Sequence, residues 1–311
     1  MKLASFNGGR IGVVIDDDIV DVSELLNATP NAWPPVAMLH VIDRFASLRG
    51  KIEDFVQTAA RMKLSGVRLE TPVAWPNKVI AFPANYHAHV EEMKTGTGLI
   101  SPFKADGQGF FLKANSSLSG PNDPIVLPNI PNRQIHHECE LAIFIGKGGR
   151  EISRDDALGH VFGYACLIDV VVRGKEERVM RKSYDSFCPV GPYIVTADEV
   201  PDYDAISLQL SVNGETRQNA STRDLIVDIP EMIRMASAVM TLYPGDIIAT
   251  GTPAGVGPIH GGDKVVIEIG KVGKMSIDVV QSEGGNHPVW DKPLNEAAQL
   301  GSLTRPLNEG A

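Results

Sequence analysis

The stretch that decides the fold is residues 136–146, His136-His137-Glu138-Cys139-Glu140-Leu141-Ala142-Ile143-Phe144-Ile145-Gly146. Residues 141–145 are all apolar, so we expect a strand that runs into the core. Side chains alternate along a strand, which would put Glu138 and Glu140 on one face. Two like charges at the mouth of a core strand repel each other and lose hydration, which is costly unless a cation lies between them. The stretch therefore predicts a buried strand with a cation site at its start.

A third carboxylate, Asp169, interrupts the apolar run Tyr164–Val172 and also needs a partner. Three acids would suit a hard divalent cation such as Mg²⁺ or Mn²⁺, which prefers oxygen ligands. The residues alone leave two alternatives open. The acids could pair with Lys or Arg side chains, and His136 and His137 could indicate zinc instead.

The rest of the chain after Trp75 consists of short β-type runs separated by glycine and proline, and it predicts a β-rich α+β fold. The expected strands are Lys78–Phe82, Phe110–Lys113, Leu141–Gly146, Ser207–Val212, Asp246–Thr250 and Lys264–Ile269. The expected helices are a short one at Asp155–Gly159 and a longer amphipathic one at Ile229–Met240.

The chain is expected to divide into three parts. Residues 1–72 form a small N-terminal domain, with a hairpin around Asp16-Asp17-Asp18 and a helical stretch from about Pro35 to Lys63. Residues 73–282 form the catalytic domain. Residues 283–311 are polar and rich in Gly, Pro and Asn, and we expect an extended tail.

Composition restricts the possible partners of the protein. The chain has 311 residues, a net charge of −9 and a pI near 5.4, so neither nucleic acid nor an anionic membrane is an expected partner. The sequence shows no signal-peptide run, and its longest apolar stretch is too short to span a bilayer. Three cysteines, Cys139, Cys166 and Cys188, cannot all pair and match no zinc or redox spacing. We expect a cytoplasmic protein that acts on small molecules.

Several motifs together resemble the fumarylacetoacetate hydrolase family over roughly residues 75–282. Each motif alone is weak, but all occur in the family's order. They are Glu138–Lys147, Gly163-Tyr164, Asp169, Arg173, Lys182-Ser183, Gly191-Pro192, Val212–Glu215, Pro244–Asp246 and the loop Thr250–Gly257.

The resemblance implies a mixed β-roll catalytic domain, a homodimer, and Mg²⁺ or Mn²⁺ (with Ca²⁺ as a substitute) held by Glu138, Glu140 and Asp169. It implies an enzyme for small 2-oxo acids. We predict hydrolysis of a carbon–carbon bond in an acylpyruvate-like or fumarylpyruvate-like diketo acid. The alternative is an oxaloacetate-type decarboxylase, or a dienoate isomerase or decarboxylase of aromatic catabolism, on the same metal site.

The resemblance also assigns roles to individual residues. His89 and Glu92 stand three residues apart on one face of a helix, so the carboxylate can orient the imidazole as a general base. Lys182 is the third catalytic residue and would balance the oxyanion. The glycine-bearing segment 94–109 would form a lid. Four further residues are expected to bind substrate: Lys113, Thr252, Arg173 and Tyr86.

The sequence departs from the family pattern along one wall of the expected site. Ile168, Gly174 and Glu176 replace a common Asn, Asp and Gln, and the segment from Arg173 to Lys182 is shorter than the commoner spacing. These changes affect the substrate rather than the metal. Two other hypotheses are a barrel-type zinc hydrolase that uses His87 and His89, and a binding protein without activity. A turnover assay with added Mg²⁺ separates the latter from an enzyme.

Overall fold

The structure is a computed structural model that describes residues 1–96 and 104–291, with the side chains of residues 94–96 left out. Part of the expected lid, residues 97–103, and part of the expected tail, residues 292–311, therefore lie outside the described residues. Within the described ranges, no helix is both long enough and apolar enough to cross a membrane.

The described residues are built mainly from strands. In chain order these are β1 Lys2–Phe6, β2 Arg10–Ile15, β3 Asp18–Asp21, β4 Met62–Lys63, β5 Leu69–Glu70, β6 Val79–Ala81, β7 Phe111–Lys113, β8 Leu118–Ser119, β9 Ile125–Leu127, β10 Ile135–His137, β11 Cys139–Ile145, β12 Val161–Ile168, β13 Val171–Val172, β14 Cys188–Thr196, β15 Ser207–Val212, β16 Glu215–Ser221, β17 Ile247–Ala249, β18 Gly257–Pro258, β19 Lys264–Ile269 and β20 Gly273–Gln281.

The helices are short and lie between these strands. They are α1 Ala37–Asp43, α2 Phe45–Thr58, α3 His87–Gly96, α4 Ala105–Gln108, α5 Arg178–Arg181 and α6 Ile229–Val239. The β-rich α+β fold that the sequence predicts is confirmed. The helix expected at Asp155–Gly159 is instead a 3₁₀ turn, Ala157–His160.

The largest sheet runs in the order β4-β3-β2-β1-β14-β12-β11-β17-β6-β7. All seven residues of β11 are buried, because its run of apolar side chains is covered on both faces. Two antiparallel neighbours flank it, β12 with Glu140 opposite Leu167, and β17 with Ala142 opposite Ala249. The metal-ligand candidates thus start from the middle of the sheet.

A second sheet, β16-β15-β19-β20-β9, packs against the first. Its strand β15 alternates exposed and buried positions, so Leu208 and Leu210 join the same core as Ile143 of β11. A small third sheet, β13-β10-β18, lies beside the start of β11. The catalytic core is therefore formed by two packed sheets with the small sheet beside the site.

The N-terminal residues are joined to the large sheet, because β1 pairs with β14. The predicted hairpin is confirmed as β2 and β3, and the predicted helical stretch is two helices that meet at Arg44. Leu3 shares a core cluster with Ala142 of β11. That residues 1–72 fold as a separate domain stays a prediction.

The first part of the expected tail is packed rather than extended. Trp290, in the 3₁₀ turn Pro288–Asp291, is 1% exposed and lies 6.2 Å from Tyr184, measured between ring centroids. A buried indole has a large apolar area to remove from water, which fixes this segment to the catalytic domain.

Candidate active site

Three buried carboxylates meet where β10, β11 and β12 come together. Glu138 lies between β10 and β11, Glu140 lies on β11, and Asp169 directly follows β12. The Asp169 amide donates a hydrogen bond to the Glu138 carbonyl over 2.9 Å, which holds the two chain segments side by side. One oxygen from each of the three acids lies within 4.8 Å of the others, and all three residues are buried. Glu138 therefore joins Glu140 from a junction between two sheets rather than from one strand.

Basic side chains surround two of the three acids. The Lys182 ammonium donates to Glu138 Oε2 over 2.7 Å and also contacts Asp169. Lys113 donates to Asp169 Oδ1 over 2.5 Å, and the Arg173 guanidinium lies 3.1 Å from Glu138 Oε1. The sequence left open whether these acids pair with Lys and Arg or bind a metal. The structure shows both Lys and Arg side chains in contact with the acids.

The third acid, Glu140, forms no ion pair with a basic side chain in the described part of the chain. Its Oε2 accepts the Gly251 amide over 2.9 Å. Burial raises the pKa of Glu140 well above its usual range, and the charge of Asp169 raises it further. Burial also acts on Glu138, but the charges of Lys182 and Arg173 outweigh it and lower that pKa. The cluster is therefore short of positive charge at Glu140.

A hard divalent cation fits this cluster. The donors are all oxygens, the ligand type that such ions prefer, and they lie within 4.8 Å of one another, near enough to share one ion. A cation would also supply the charge that Glu140 lacks. Zinc is not supported within the described residues, because the histidines are engaged elsewhere: His136 contacts Arg173 and Gln134, and His137 contacts Gln218.

His89 and Glu92 lie beside the acids, near the start of α3. Glu92 Oε2 is 2.9 Å from His89 Nδ1, and Glu92 Oε1 accepts the Gly255 amide over 2.8 Å. An ionised carboxylate only accepts, so Nδ1 carries the proton and Nε2 is left as the basic atom. Burial raises the pKa of Glu92, but the hydrogen bonds from His89 and Gly255 lower it below its usual value.

The barrel-type zinc hydrolase is wrong for this chain. Strands β11, β12 and β14 are antiparallel neighbours, whereas that barrel needs parallel strands. His87 is exposed, and His89 is buried against Glu92. The His-x-His spacing therefore does not form a ligand pair.

Lys113, predicted to bind substrate, lies at the acid cluster. We expected its side chain to reach the substrate, but it is 0% exposed. Its ammonium donates to Asp169 and to the carbonyl oxygens of Lys182 and Phe187, over 2.6 and 3.3 Å. Three donors meet three acceptors, so no proton is left for a ligand. In this structure Lys113 therefore holds Asp169 in position, and its role at the substrate stays a prediction.

Replacing Lys113 by Met should therefore destabilise the fold rather than only weaken substrate binding. The change leaves Asp169 as a buried charge with one cation fewer, at an expected cost of about 3–5 kcal/mol in the free energy of unfolding. Urea denaturation of the metal-free protein measures it. Asp169→Asn combined with Lys113→Met should recover part of the loss, and a loss below about 1 kcal/mol for Lys113→Met alone would contradict this role.

Tyr86, also predicted to bind substrate, is enclosed by the protein, and its role stays a prediction. The residue is 1% exposed, and its hydroxyl is enclosed without a hydrogen-bond partner among the described residues. Burial raises its pKa well above the usual range, and the charges of Cys139 and Glu140 add to the effect. The backbone of Tyr86 forms an antiparallel bridge with Leu225, and the ring is buried near enough to Glu140 to be affected by its charge.

Two functional residues carried no assigned role in the sequence. Gln218, fully buried on β16, accepts the Cys139 amide over 2.9 Å and donates to Thr252 Oγ1 over 2.8 Å. Asn85 binds the backbone of Val227 and of Thr250 through its side chain. Gln218 ties the loop 250–257 to the first residue of β11, and Asn85 ties the start of that loop to Val227. All residues of β16 except Ala220 are polar, so no pattern distinguished Gln218 from its neighbours.

The loop at Gly251 depends on a glycine. Its φ is +88°, and a Cβ at this position would lie 2.8 Å from the Phe82 carbonyl oxygen. The absence of a side chain lets the Gly251 amide reach Glu140. Thr252, predicted to bind substrate, is held in the next position by Gln218.

Comparison with known proteins gives one matching family model and many relatives. The model is the fumarylacetoacetate (FAA) hydrolase C-terminal domain, matched by residues 78–280. A maleylpyruvate hydrolase of Aquipseudomonas alcaligenes is 42% identical over 285 residues, covering 90% of this chain and 99% of the relative. The oxaloacetate tautomerase YisK of Bacillus subtilis is 32% identical over 304 residues, covering 89% and 99%.

Solved structures agree with these matches. The crystal structure of maleylpyruvate hydrolase from Sphingobium sp. SYK-6, in complex with manganese(II) ion and pyruvate, has a TM-score of 0.83 and 55% identity. The alignment covers 91% of this chain and 100% of the Sphingobium chain. A probable 2-hydroxyhepta-2,4-diene-1,7-dioate isomerase from Mycobacterium abscessus has a TM-score of 0.74 and 29% identity, with 91% and 98% covered.

Proposed function

Since the chain belongs to the fumarylacetoacetate hydrolase family, we propose that it is a Mg²⁺- or Mn²⁺-dependent hydrolase of 2,4-dioxo acids of the maleylpyruvate or fumarylpyruvate type. It cleaves the C3–C4 bond and releases pyruvate and a second carboxylic acid. The observation that carries the proposal is that a general-base pair, His89 and Glu92, lies near a buried cluster of three acids, close enough for the charge of His89 to act on Glu138. The similarity to two maleylpyruvate hydrolases supports this substrate class.

Glu138, Glu140 and Asp169 would hold the cation. When bound, a divalent cation withdraws electron density from the 2-oxo acid and stabilises the charge that develops as the C3–C4 bond breaks. The same stabilisation of negative charge assists hydrolysis, decarboxylation and tautomerisation. The choice among these reactions therefore depends on the protein groups around the substrate.

His89 and Glu92 direct the chemistry towards hydrolysis. His89 Nε2 takes a proton from a water molecule, which attacks the carbonyl carbon C4, while Glu92 stabilises the protonated imidazole. The bond electrons move to C3, which takes up a proton, so that substrate and one water give pyruvate and a carboxylic acid. Lys182 offers positive charge to the developing oxyanion, and the Gly251–Thr252 loop binds the carboxylate.

A second candidate is enol–keto conversion or decarboxylation of a short 2-oxo acid. The observation in its favour is the similarity to the oxaloacetate tautomerase YisK. Enol–keto conversion moves a proton between the C2 oxygen and C3, and decarboxylation breaks the C3–C4 bond, releases CO₂ and protonates C3. Neither reaction needs an attacking water. Product analysis therefore separates the two functions.

The test supplies the purified Mg²⁺ enzyme with maleylpyruvate, acetylpyruvate and oxaloacetate, and measures pyruvate, CO₂ and the enol absorbance separately. The proposal predicts pyruvate with an equal amount of maleate from maleylpyruvate. Rapid conversion of oxaloacetate without cleavage of either diketo acid would assign the second function. Tight Mn²⁺ binding without turnover of any substrate would indicate a binding protein.

We also propose a cytoplasmic homodimer. Three free, buried cysteines suit a reducing compartment. Strand β7 ends the large sheet within the described residues, and three apolar side chains on β7 and the adjoining α5 are exposed: Leu112, Val179 and Met180. An exposed sheet edge beside an apolar patch suits burial against a second copy of the chain.

Sedimentation velocity tests the dimer. The wild-type chain should sediment as a dimer at assay concentration, and Val179→Asp should shift it to monomer because a charge would be buried in the interface. Val239→Asp is the matched control, since Val239 is exposed on α6, away from this patch. A wild-type chain that is a stable, active monomer would refute the homodimer.

A further inference from the structure

The short wall between Arg173 and Lys182 is unusually rich in positive charge. It carries five basic residues, Arg173, Lys175, Arg178, Arg181 and Lys182. Two of them serve the acid cluster: Lys182 contacts Glu138 and Asp169, and Arg173 contacts Glu138. Lys113 also contacts Asp169, whereas Arg178 is in contact with none of the three acids within the described residues.

Internal contacts hold the wall in one arrangement. Glu176 forms an ion pair of 2.8 Å with Arg133, and both side chains are nearly fully buried. Arg181 Nε donates to the Glu176 carbonyl over 2.8 Å. The Glu176 that replaces the family's common Gln is therefore engaged by Arg133. This ion pair anchors the wall through Glu176 Oε1, while Oε2 is buried without a hydrogen-bond partner among the described residues.

Arg178 is left without an acidic partner within the described part of the chain. Its guanidinium carbon lies 5.2 Å from the centroid of the Phe111 ring, and the Lys182 ammonium lies 5.4 Å from the same centroid. Phe111 shares a face of β7 with Lys113, which contacts Asp169. One aromatic ring thus separates Arg178 from the acid cluster, at a spacing within the length of a dicarboxylic acid.

The surroundings of Arg178 suit a carboxylate from outside the chain. Burial lowers the pKa of the guanidinium more than the charges of Glu138 and Asp169 raise it. A partly buried guanidinium gains most from a planar anion that accepts two hydrogen bonds. A substrate whose 2-oxo acid end lies at Glu138, Glu140 and Asp169 would extend its other end towards this group.

We infer that Arg178 binds the distal carboxylate of the substrate, so that the enzyme selects 2,4-dioxo dicarboxylic acids over acylpyruvates that end in an alkyl group. The inference rests on the proposed function and narrows it. It also assigns a function to the short, basic segment from Arg173 to Lys182. The wall presents one cation where the longer substrate carries its second negative charge.

The experiment compares two substrates with two enzymes. Maleylpyruvate carries the distal carboxylate, and acetylpyruvate has a methyl group at that end. Arg178→Gln should lower kcat/KM for maleylpyruvate about 10²-fold, which is the usual loss when one partner of a close charge pair is removed. The same variant should change kcat/KM for acetylpyruvate less than about 3-fold. Arg178→Lys should recover part of the loss. Arg234→Gln, which removes an exposed guanidinium on α6, should affect neither substrate.

Product inhibition gives an independent measurement on the same proteins. Maleate should inhibit the wild-type enzyme and inhibit Arg178→Gln at least roughly 10-fold more weakly, while inhibition by pyruvate stays the same. Equal losses for both substrates, or an unchanged maleylpyruvate rate, would overturn the inference while leaving the hydrolase intact. A wild-type enzyme that cleaves neither diketo acid would instead overturn the proposed function, and this inference with it.

Discussion

Asp169→Ala should abolish turnover, with a fall of at least about 10³-fold in kcat, because the developing negative charge loses several kcal/mol of stabilisation. The change removes one of three ligands and leaves Lys113 and Lys182 without their shared carboxylate. Tight Mn²⁺ binding should disappear at the same time, which isothermal titration calorimetry measures directly. Glu140→Gln should act in the same way with less disturbance, since the amide keeps the shape of the side chain.

Asp246→Ala is the matched control for the metal-site variants. Asp246 is a second fully buried aspartate that pairs with a lysine, Lys78, over 2.5 Å, but it lies at the far end of β11, beyond Ile145. This variant should lose stability yet still bind Mn²⁺ and turn over below its melting temperature. Full activity of metal-stripped Asp169→Ala would show that the acid cluster does not hold the catalytic cation.

His89→Ala should keep the metal and lose roughly 10²–10⁴-fold in kcat, the usual contribution of a positioned general base. Its Nδ1 contact with Glu92 and its nearness to Glu138 place the imidazole at the cluster without making it a ligand. His87→Ala is the control, because His87 is exposed on the same helix and should change kcat little. Unchanged hydrolysis in His89→Ala would show that the base lies elsewhere.

Glu92→Gln should be milder than His89→Ala and should change the pH dependence. The pKa of Glu92 lies below its usual 4.5, so the carboxylate stays ionised throughout the neutral range and does not itself cause an acidic limb above pH 5. A neutral amide no longer stabilises the protonated imidazole, so the acidic limb of kcat/KM should move to lower pH. An acidic limb at the same pH as in the wild-type enzyme would show that Glu92 does not act on the catalytic base.

Local sequence patterns predicted much of the fold. The expected strands Ser207–Val212 and Lys264–Ile269 match β15 and β19 at both ends, and α6 ends one residue before its expected limit. Alternation and helical periodicity are local properties, so they are visible in the sequence. The pairing of β1 with β14 joins residues nearly two hundred positions apart, and no local pattern specifies such a partner.

The candidate site was predicted less evenly. Clustering of Glu138, Glu140 and Asp169 was expected, because each acid interrupts or opens an apolar run. The partners of these acids were not, because a lysine in a sequence does not show which carboxylate it meets. Lys113 was therefore expected at the substrate, whereas the structure places its ammonium on Asp169. Roles that depend on long-range contacts, such as that of Gln218, could be assigned only from the three-dimensional structure.

The central claim is that one cation at the acid cluster enables hydrolysis of a diketo acid. The most direct measurement titrates metal-stripped wild-type enzyme with Mn²⁺ while pyruvate release from maleylpyruvate is followed. We expect no turnover without metal and a rise that saturates at one tightly bound Mn²⁺ per chain, with maleate formed in equal amount to pyruvate. Undiminished pyruvate release from fully stripped enzyme would contradict the claim.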